Sequence, residues 1–325
     1  MRAAVYRAKG RAVDVLSVDE LPKPQPGPGE VLVRVVFSGV NPSDVKSRAG
    51  LGGAPMDYPF VVPHSDGAGE IVAVGEGVAP RRVGERVWLF NGQWGRAMGT
   101  AAEFVALPAR QAVTLPEGVT LEVGASIGIP LLTAVHAVLS LGTLLNKTVM
   151  VPGAAGAVGA YVTQLVALAG GRPIAVVSSD EKAALARSLG AVAAVNYKTA
   201  DLAAEVRALT QGEGADAVVE VDVAGNARHY AQALRFGGQA VIYGSNAPTI
   251  ELPFRPLISR FIKLYFFIVY LLPEAALREA IDTATGLLQR GALRHPELAT
   301  YPLADIARAH ERVEAGANAK VLVAL

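Results

Sequence analysis

The sequence predicts an α/β chain of two parts, a doubly wound parallel sheet in its middle and a β-rich domain made from its first and last segments. Three observations predict this. An apolar run, a small-residue turn and a helical pattern follow one another at Thr148–Gly159 (TVMVPGAAGAVG). Strand and helix patterns then recur at spacings of roughly 20 to 30 residues, the size of successive βα units. The first 120 residues, by contrast, carry short strands between Gly- and Pro-rich turns, with no long helical pattern.

In chain order, the β-rich part has strand patterns at Val31–Phe37, Gly69–Val74, Arg86–Phe90 and Ala102–Leu107. The sheet of the second part opens with the run Thr148–Gly153, followed by an AxGxxG turn, Ala154, Ala155, Gly156, Ala157, Val158 and Gly159. Such a turn lets a helix N-terminus come close to a diphosphate. Gly156 would allow the approach, and Gly159 the packing of helix on strand. Further strands are expected at Arg172–Ser179, Ala191–Tyr197, Ala215–Val223 and Gln239–Gly244, each short and rich in valine, isoleucine or alanine. Helical patterns lie between them at Val158–Ala169, Asp180–Leu189, Leu202–Thr210 and Ala227–Arg235. The second of these has an N-cap and acidic first turn in Ser179-Asp180-Glu181 and a C-cap in Gly190. The middle is therefore a Rossmann-type nucleotide domain.

The most apolar run, Leu264–Leu272 (LYFFIVYLL), is much shorter than the roughly 20 residues that cross a bilayer. It reads either as an ordinary core strand or as a subunit contact. After Pro273 come a helical pattern at Glu274–Gln289, a loop with His295-Pro296, a short helix near Ala304–Ala315 and a final strand, Lys320–Leu325. That strand needs a partner, and the β-rich domain is expected to provide one. The expected division is therefore residues 1–120 with 273–325, and residues 121–272.

A chain of 325 residues is long enough for two cores, and a net charge of +1 argues against a nucleic-acid-binding surface. The absence of cysteine excludes disulfides, iron–sulfur clusters and thiolate zinc sites, though not a zinc site of histidine and carboxylate. The start, MRAAVYRAKG, lacks the apolar core of a signal peptide, so a cytoplasmic protein without membrane attachment is expected.

The order of parts, with PQPGPGEVLVRV at Pro24–Val35, SGVNPSD at Ser38–Asp44, PHSDGAGEIVAVGEG at Pro63–Gly77, VGERV at Val83–Val87, LPEGV at Leu115–Val119, IPLLTA at Ile129–Ala134 and the glycine turn, resembles the medium-chain dehydrogenase/reductase superfamily over essentially the whole chain. The resemblance implies a GroES-like first domain. The zinc alcohol dehydrogenases of that superfamily carry a cysteine where this chain has Asn41 and a histidine where it has Ser65, so no metal site is expected. The chain looks instead like the zinc-free quinone oxidoreductase, or zeta-crystallin-like, branch, which uses NADPH. His64, beside the lost ligand position, reads as a hydrogen-bonding residue at the surface or behind a site.

An NAD-preferring fold places Asp or Glu at the end of its second strand. Here that strand ends in Ser178-Ser179, whose hydroxyls can donate to a 2′-phosphate. The resemblance adds a phosphate clamp of Lys182 and Tyr197. Alone, these also read as a solvated helix lysine and a core or edge tyrosine. Asp180 and Glu181 would oppose a phosphate if they faced it, or serve the helix N-terminus instead. The resemblance further implies cofactor contacts at Asn41 and Thr133 near the nicotinamide, at Asp222, and at Gly244-Ser245, with Asn246 joining them.

The expected chemistry is metal-free hydride transfer to a quinone or related conjugated carbonyl, with Asn41 as the donor to the developing oxyanion. Asn41 also fits a turn asparagine, and Lys46, a second catalytic candidate, also fits a surface lysine. Asp44 reads as a loop carboxylate that holds the turn. Many quinone reductases have tyrosines at the position of Lys46 and near Gly52, and both are missing here, leaving Tyr58, Phe60, Trp88, Trp94 or Tyr265 to stack on a flat acceptor. The loop Asn91–Met98 (NGQWGRAM) reads as lining or covering a cleft, or as a solvent loop. Two other readings stand beside this one: reduction of the carbon–carbon double bond of alkenals or enones, and a non-catalytic NADPH-binding protein of crystallin-like or regulatory role. A homodimer or homotetramer is expected through the Phe261–Leu272 edge.

Overall fold

The computed structural model describes residues 1–51, 53, 55–316 and 319–325. The chain divides into two compact units, Met1–Ile129 with Leu288–Arg290 and His295–Leu325, and Pro130–Leu287 with Gly291–Arg294.

The first unit opens with β1 (Arg2–Val5) and β2 (Ser17–Glu20), an antiparallel pair. It continues through β3 (Glu30–Gly39), β4 (Asp66–Val74), β5 (Arg86–Leu89), β6 (Phe104–Pro108) and β7 (Ala112–Thr114). Alternate residues of β3, Val31, Val33 and Val35, pack with Ile71, Val87, Leu89, Val105 and Leu107 in one core. The β3–β4 pairing shifts register between Val35 and Phe37. There Gly69 comes so close to β3 that a Cβ would lie 2.0 Å from the Arg34 carbonyl oxygen. The sequence showed no long helical pattern in this region, and the helix Pro42–Ala49 is short, with Pro42 in its first turn and Gly50 (φ 76°) ending it.

The second unit holds β8 (Thr148–Pro152), β9 (Arg172–Val177), β10 (Ala193–Asn196), β11 (Ala215–Glu220), β12 (Leu234–Ile242) and β13 (Lys263–Phe266). All pairings are parallel, in the order β10-β9-β8-β11-β12-β13. The order reverses between β8 and β11, and the crevice beyond the strand ends at such a point is where doubly wound sheets bind ligands. Helices at Gly159–Leu168, Asp180–Ser188 and Leu202–Leu209 follow the expected pattern. The helix expected over Ala227–Arg235 does not form as one piece. A turn of helix at Val223–Asn226 precedes it, the segment itself divides into a 3-10 turn at Ala227–His229 and one turn at Tyr230–Ala233, and β12 starts at Leu234, where the buried Leu234 pairs with Ala215.

The apolar run Leu264–Leu272 is not an ordinary core strand. Its first residues belong to β13, at the outer edge of the sheet, with Tyr265 43% and Phe266 50% exposed, and Val269–Leu271 form a 3-10 turn. The one described helix with the length and apolar composition to cross a membrane, Leu121–Leu139, is mostly buried in the fold and is a core helix. The boundary between the units, Ile129/Pro130, falls within it.

The chain ends with β14 (Leu298–Pro302) and β15 (Lys320–Ala324). β15 pairs antiparallel with β3 and parallel with β14, completing a sheet of order β14-β15-β3-β4-β5-β7 with β6 also on β3.

Candidate nucleotide and active-site residues

The turn after β8 is built for close approach. Gly153 has φ 67°, and a Cβ on Gly159 would sit 2.2 Å from the Gly153 carbonyl oxygen, so the helix Gly159–Leu168 starts in direct backbone contact with the turn. Gly156 is different. A Cβ there would meet only the Gly153 oxygen, at 3.2 Å, so the protein itself leaves room for a side chain that the sequence withholds. Gly153 and Gly156 are exposed, Ala154 is buried, and Ala155, Ala157 and Val158 are half-buried. Exposed glycine backbone in front of a helix whose first N–H groups have no partner within the helix fits a dinucleotide diphosphate.

Beside it, β9 ends without a carboxylate. Ser179 caps the next helix, its hydroxyl accepting from the Lys182 backbone N–H at 3.3 Å, and the Lys182 ammonium lies 3.4 Å from the Ser178 hydroxyl. Tyr197 is half exposed just past β10, and its N–H donates to the Val177 carbonyl at 3.1 Å, which places it next to the end of β9. Asp180 turns toward Asn196, whose amide donates to it at 3.4 Å. A cation and three hydroxyls thus stand on two adjacent strand ends.

Past β11, the Asp222 carboxylate accepts from the Asn246 backbone N–H at 2.9 Å and the Asn246 side-chain amide at 3.0 Å, tying the loop after β11 to the loop after β12. Gly244 is confined there, since a Cβ would lie 2.3 Å from the Val221 oxygen. The Ser245 hydroxyl bonds the Ala247 backbone. Behind these loops stands Glu220, fully buried, whose carboxylate accepts from the Asp222 N–H (2.7 Å), the Asn226 amide (2.9 Å) and the Tyr230 hydroxyl (3.0 Å). Burial raises its pKa, and these donors oppose the rise.

The first unit holds a second polar cluster. Asn41, at the start of Pro42–Ala49, is only 2% exposed. Its side-chain amide donates to Asp66 Oδ2 at 2.8 Å, and its amide oxygen accepts from Lys320 Nζ at 2.6 Å. Lys320 Nζ also lies 3.2 Å from Asp66 Oδ2, and Asp66 Oδ1 accepts from the Ile129 N–H at 2.7 Å. Asp44 accepts from the Asn41 backbone N–H at 2.7 Å. Burial, then the neighbouring Asp66, push the Asp44 carboxyl up to about 7. Burial likewise raises Asp66, with Lys320 opposing it.

His64 is not at the surface. It is fully buried at φ 79°, with Nδ1 2.8 Å from the Ser38 hydroxyl and Nε2 2.9 Å from His310 Nε2. Burial drives both imidazoles toward the neutral form, His310 down to about 3. Neutral rings allow this contact, since one nitrogen donates and the other accepts.

Lys46 occupies an exposed position of its helix, and Thr133 is buried within Leu121–Leu139. Trp88 is wholly inside the first unit's core, while Tyr265 sits on β13 with its hydroxyl 3.0 Å from His136 Nε2. The loop Asn91–Met98 is pinned by the Tyr58 hydroxyl on the Gly95 carbonyl at 2.7 Å. Gly52 lies outside the described residues. Among the described residues no group of three or more His, Cys, Asp or Glu is placed to hold a metal. The position matching a zinc ligand, Asn41, already faces the Lys320 ammonium, which would repel a second cation. These residues do not fit a zinc ion. Asp66, Lys320, His310 and Glu220 were not found from the sequence. For Lys320 and Glu220 the available signal was a charge set inside an apolar strand, as in AKVLVAL and AVVEV.

Residues 27–117 match the family described as alcohol dehydrogenase GroES-like domain, and residues 157–286 the family described as zinc-binding dehydrogenase. The quinone oxidoreductase of Rattus norvegicus is 28% identical over 295 residues, covering 89% of this chain and 87% of that protein. A mycobacterial protein solved in complex with NADPH is 28% identical, with a TM-score of 0.88 and full coverage of both chains. A solved NAD-dependent alcohol dehydrogenase is 30% identical, with a TM-score of 0.85 and full coverage of both.

Proposed function

This chain belongs to the medium-chain dehydrogenase/reductase superfamily, in its quinone oxidoreductase branch, and we propose that it is an NADPH-dependent oxidoreductase that reduces quinones or related conjugated carbonyls by metal-free hydride transfer. The observation that carries the cofactor choice is the end of β9. No carboxylate stands there to bind a ribose diol, and Ser178, Ser179, Lys182 and Tyr197 offer the donors and the positive charge that a 2′-phosphate requires.

When bound, the nicotinamide supplies the hydride. The chain's own residues do the rest. The exposed backbone at Gly156 and the start of Gly159–Leu168 hold the diphosphate. Asp222, through Asn246, fixes the two loops beyond β11 and β12. Asn41 donates to the acceptor's oxygen as negative charge develops on it, from a wall dry enough to strengthen the bond. Self-association belongs to the same proposal: the outer edge of β13 carries exposed Tyr265 and Phe266, with Phe261 and Leu271 more than 60% exposed nearby, and a second copy would cover them in a two-fold dimer.

The test is oxidation of NADPH, followed optically, with ortho- and para-quinones beside enones. Quinone-dependent oxidation supports the reading. Turnover confined to enones moves the substrate class to carbon–carbon double bonds, and tight NADPH binding without turnover on any acceptor makes the protein non-catalytic.

A further inference from the structure

We infer that Lys320 is a positioning residue: together with Asp66 it fixes the Asn41 carboxamide in one orientation, with its oxygen on the ammonium and its N–H end kept as the donor end for the acceptor's oxygen. The inference rests on the role given to Asn41 above.

The two ends of a carboxamide are nearly the same size, so packing alone does not choose between them. Charge does. An ammonium only donates, so the atom 2.6 Å from Lys320 Nζ is the amide oxygen, and an ionised carboxylate only accepts, so the atom 2.8 Å from Asp66 Oδ2 is the amide nitrogen. The 3.2 Å contact between Lys320 and Asp66 closes a ring of three side chains. Each member is itself held. Asp66 accepts from the Ile129 backbone, Asn41 is tied through its own N–H to Asp44, and Lys320 stands on β15 before Val321, Leu322 and Val323, all buried.

A buried ion pair seldom adds stability over an apolar pair of the same volume. Placing a lysine in an otherwise apolar strand is therefore explained by what it orients. Polarisation of the amide oxygen by an ammonium also strengthens the amide N–H groups as donors.

The experiment compares wild type with Lys320→Met, Lys320→Arg and the double variant Lys320→Met/Asp66→Asn, which removes both charges and keeps the test alive if the single variant fails to fold. Two readouts are taken. The first is the Asn41 side-chain NH2 signal in asparagine-15N-labelled protein, assigned with Asn41→Asp. Wild type should show NH2 shifts displaced from those of free asparagine and slow exchange with solvent, and the methionine variants should move both shifts toward the free values and exchange faster. The second is kcat for acceptor reduction at saturating NADPH, expected to fall about 100-fold, as for a misplaced catalytic group, with a smaller change in NADPH Kd and partial recovery in Lys320→Arg. Unchanged amide signals in the methionine variants overturn the inference, as does an unchanged kcat. If wild type itself turns over no acceptor, the proposed function falls, while the amide signals still decide whether Lys320 sets the orientation.

Discussion

Adding one methyl group at Gly156 and, separately, at Gly159 distinguishes what the small-residue turn does for the ligand from what it does for the fold. At Gly159 the new Cβ would lie 2.2 Å from the Gly153 oxygen and 2.7 Å from the Gly153 carbonyl carbon, both backbone atoms that cannot rotate away. The helix must recede by about 1 Å, a strain of roughly 1–3 kcal/mol. For a domain of this size each kcal/mol lowers Tm by about 2–4 °C, so Gly159→Ala should melt roughly 2–12 °C below wild type. At Gly156 the only neighbour within reach is one carbonyl oxygen at 3.2 Å, which a shift of a few tenths of an ångström relieves. The stiffer unfolded chain returns about 0.4–1 kcal/mol, so Tm should stay within roughly 2 °C. If Gly156 backbone holds the diphosphate as proposed, the methyl group intrudes on it, and NADPH affinity should fall at least about tenfold, some 1.4 kcal/mol. Thermal melts without ligand and fluorescence titration with NADPH measure both. Wild-type NADPH affinity in Gly156→Ala, or an unchanged Tm in Gly159→Ala, would refute the reasoning.

Four further outcomes are expected. Lys182→Ala should weaken NADPH by roughly 10- to 100-fold, the loss of one charge-assisted contact, while leaving NADH unchanged in parallel titrations. Asp44 titrates near 7 in the fold because burial and Asp66 disfavour its charge, so its proton is held more tightly folded than unfolded. The stability it contributes is complete below about pH 4 and is lost as pH rises through about 7. Asp44→Asn should therefore gain Tm relative to wild type between pH 5.5 and 8.5, and a pH-independent difference would count against it. Glu220→Leu strands the buried Tyr230 hydroxyl and two half-buried donors and should cost about 2–4 kcal/mol in denaturant melts, with Glu220→Gln milder. Phe266→Asp should convert a dimer or larger species to monomer on light scattering, and a wild-type monomer at micromolar concentration would contradict the interface.

The parallel-sheet half was legible because its signals are local. The β8 turn, the Ser179 cap and the missing carboxylate after β9 each lie within a few residues of one another, and a short window of sequence shows their chemistry. The polar cluster of the first unit was not legible for the opposite reason. Lys320 and Asp66 are 254 residues apart and His64 and His310 are 246 apart, so no periodicity or spacing joins them. The helix Pro42–Ala49 has too few turns for an apolar pattern to show. The segment Ala227–Arg235 has helical composition, but β12 claims its end by pairing Leu234 with Ala215, and that preference is tertiary. The run Leu264–Leu272 was legible as apolar, while its place at the sheet edge depended on strand order.

The central claim, that the donors at the ends of β9 and β10 select NADPH for a reductase, is tested most directly by kcat/KM for NADPH and for NADH with one para-quinone acceptor, in wild type and in Lys182→Ala. The account predicts a wild-type preference for NADPH of at least about tenfold that largely disappears in the variant. Equal use of the two cofactors by wild type, or a preference that survives intact without Lys182, would contradict it.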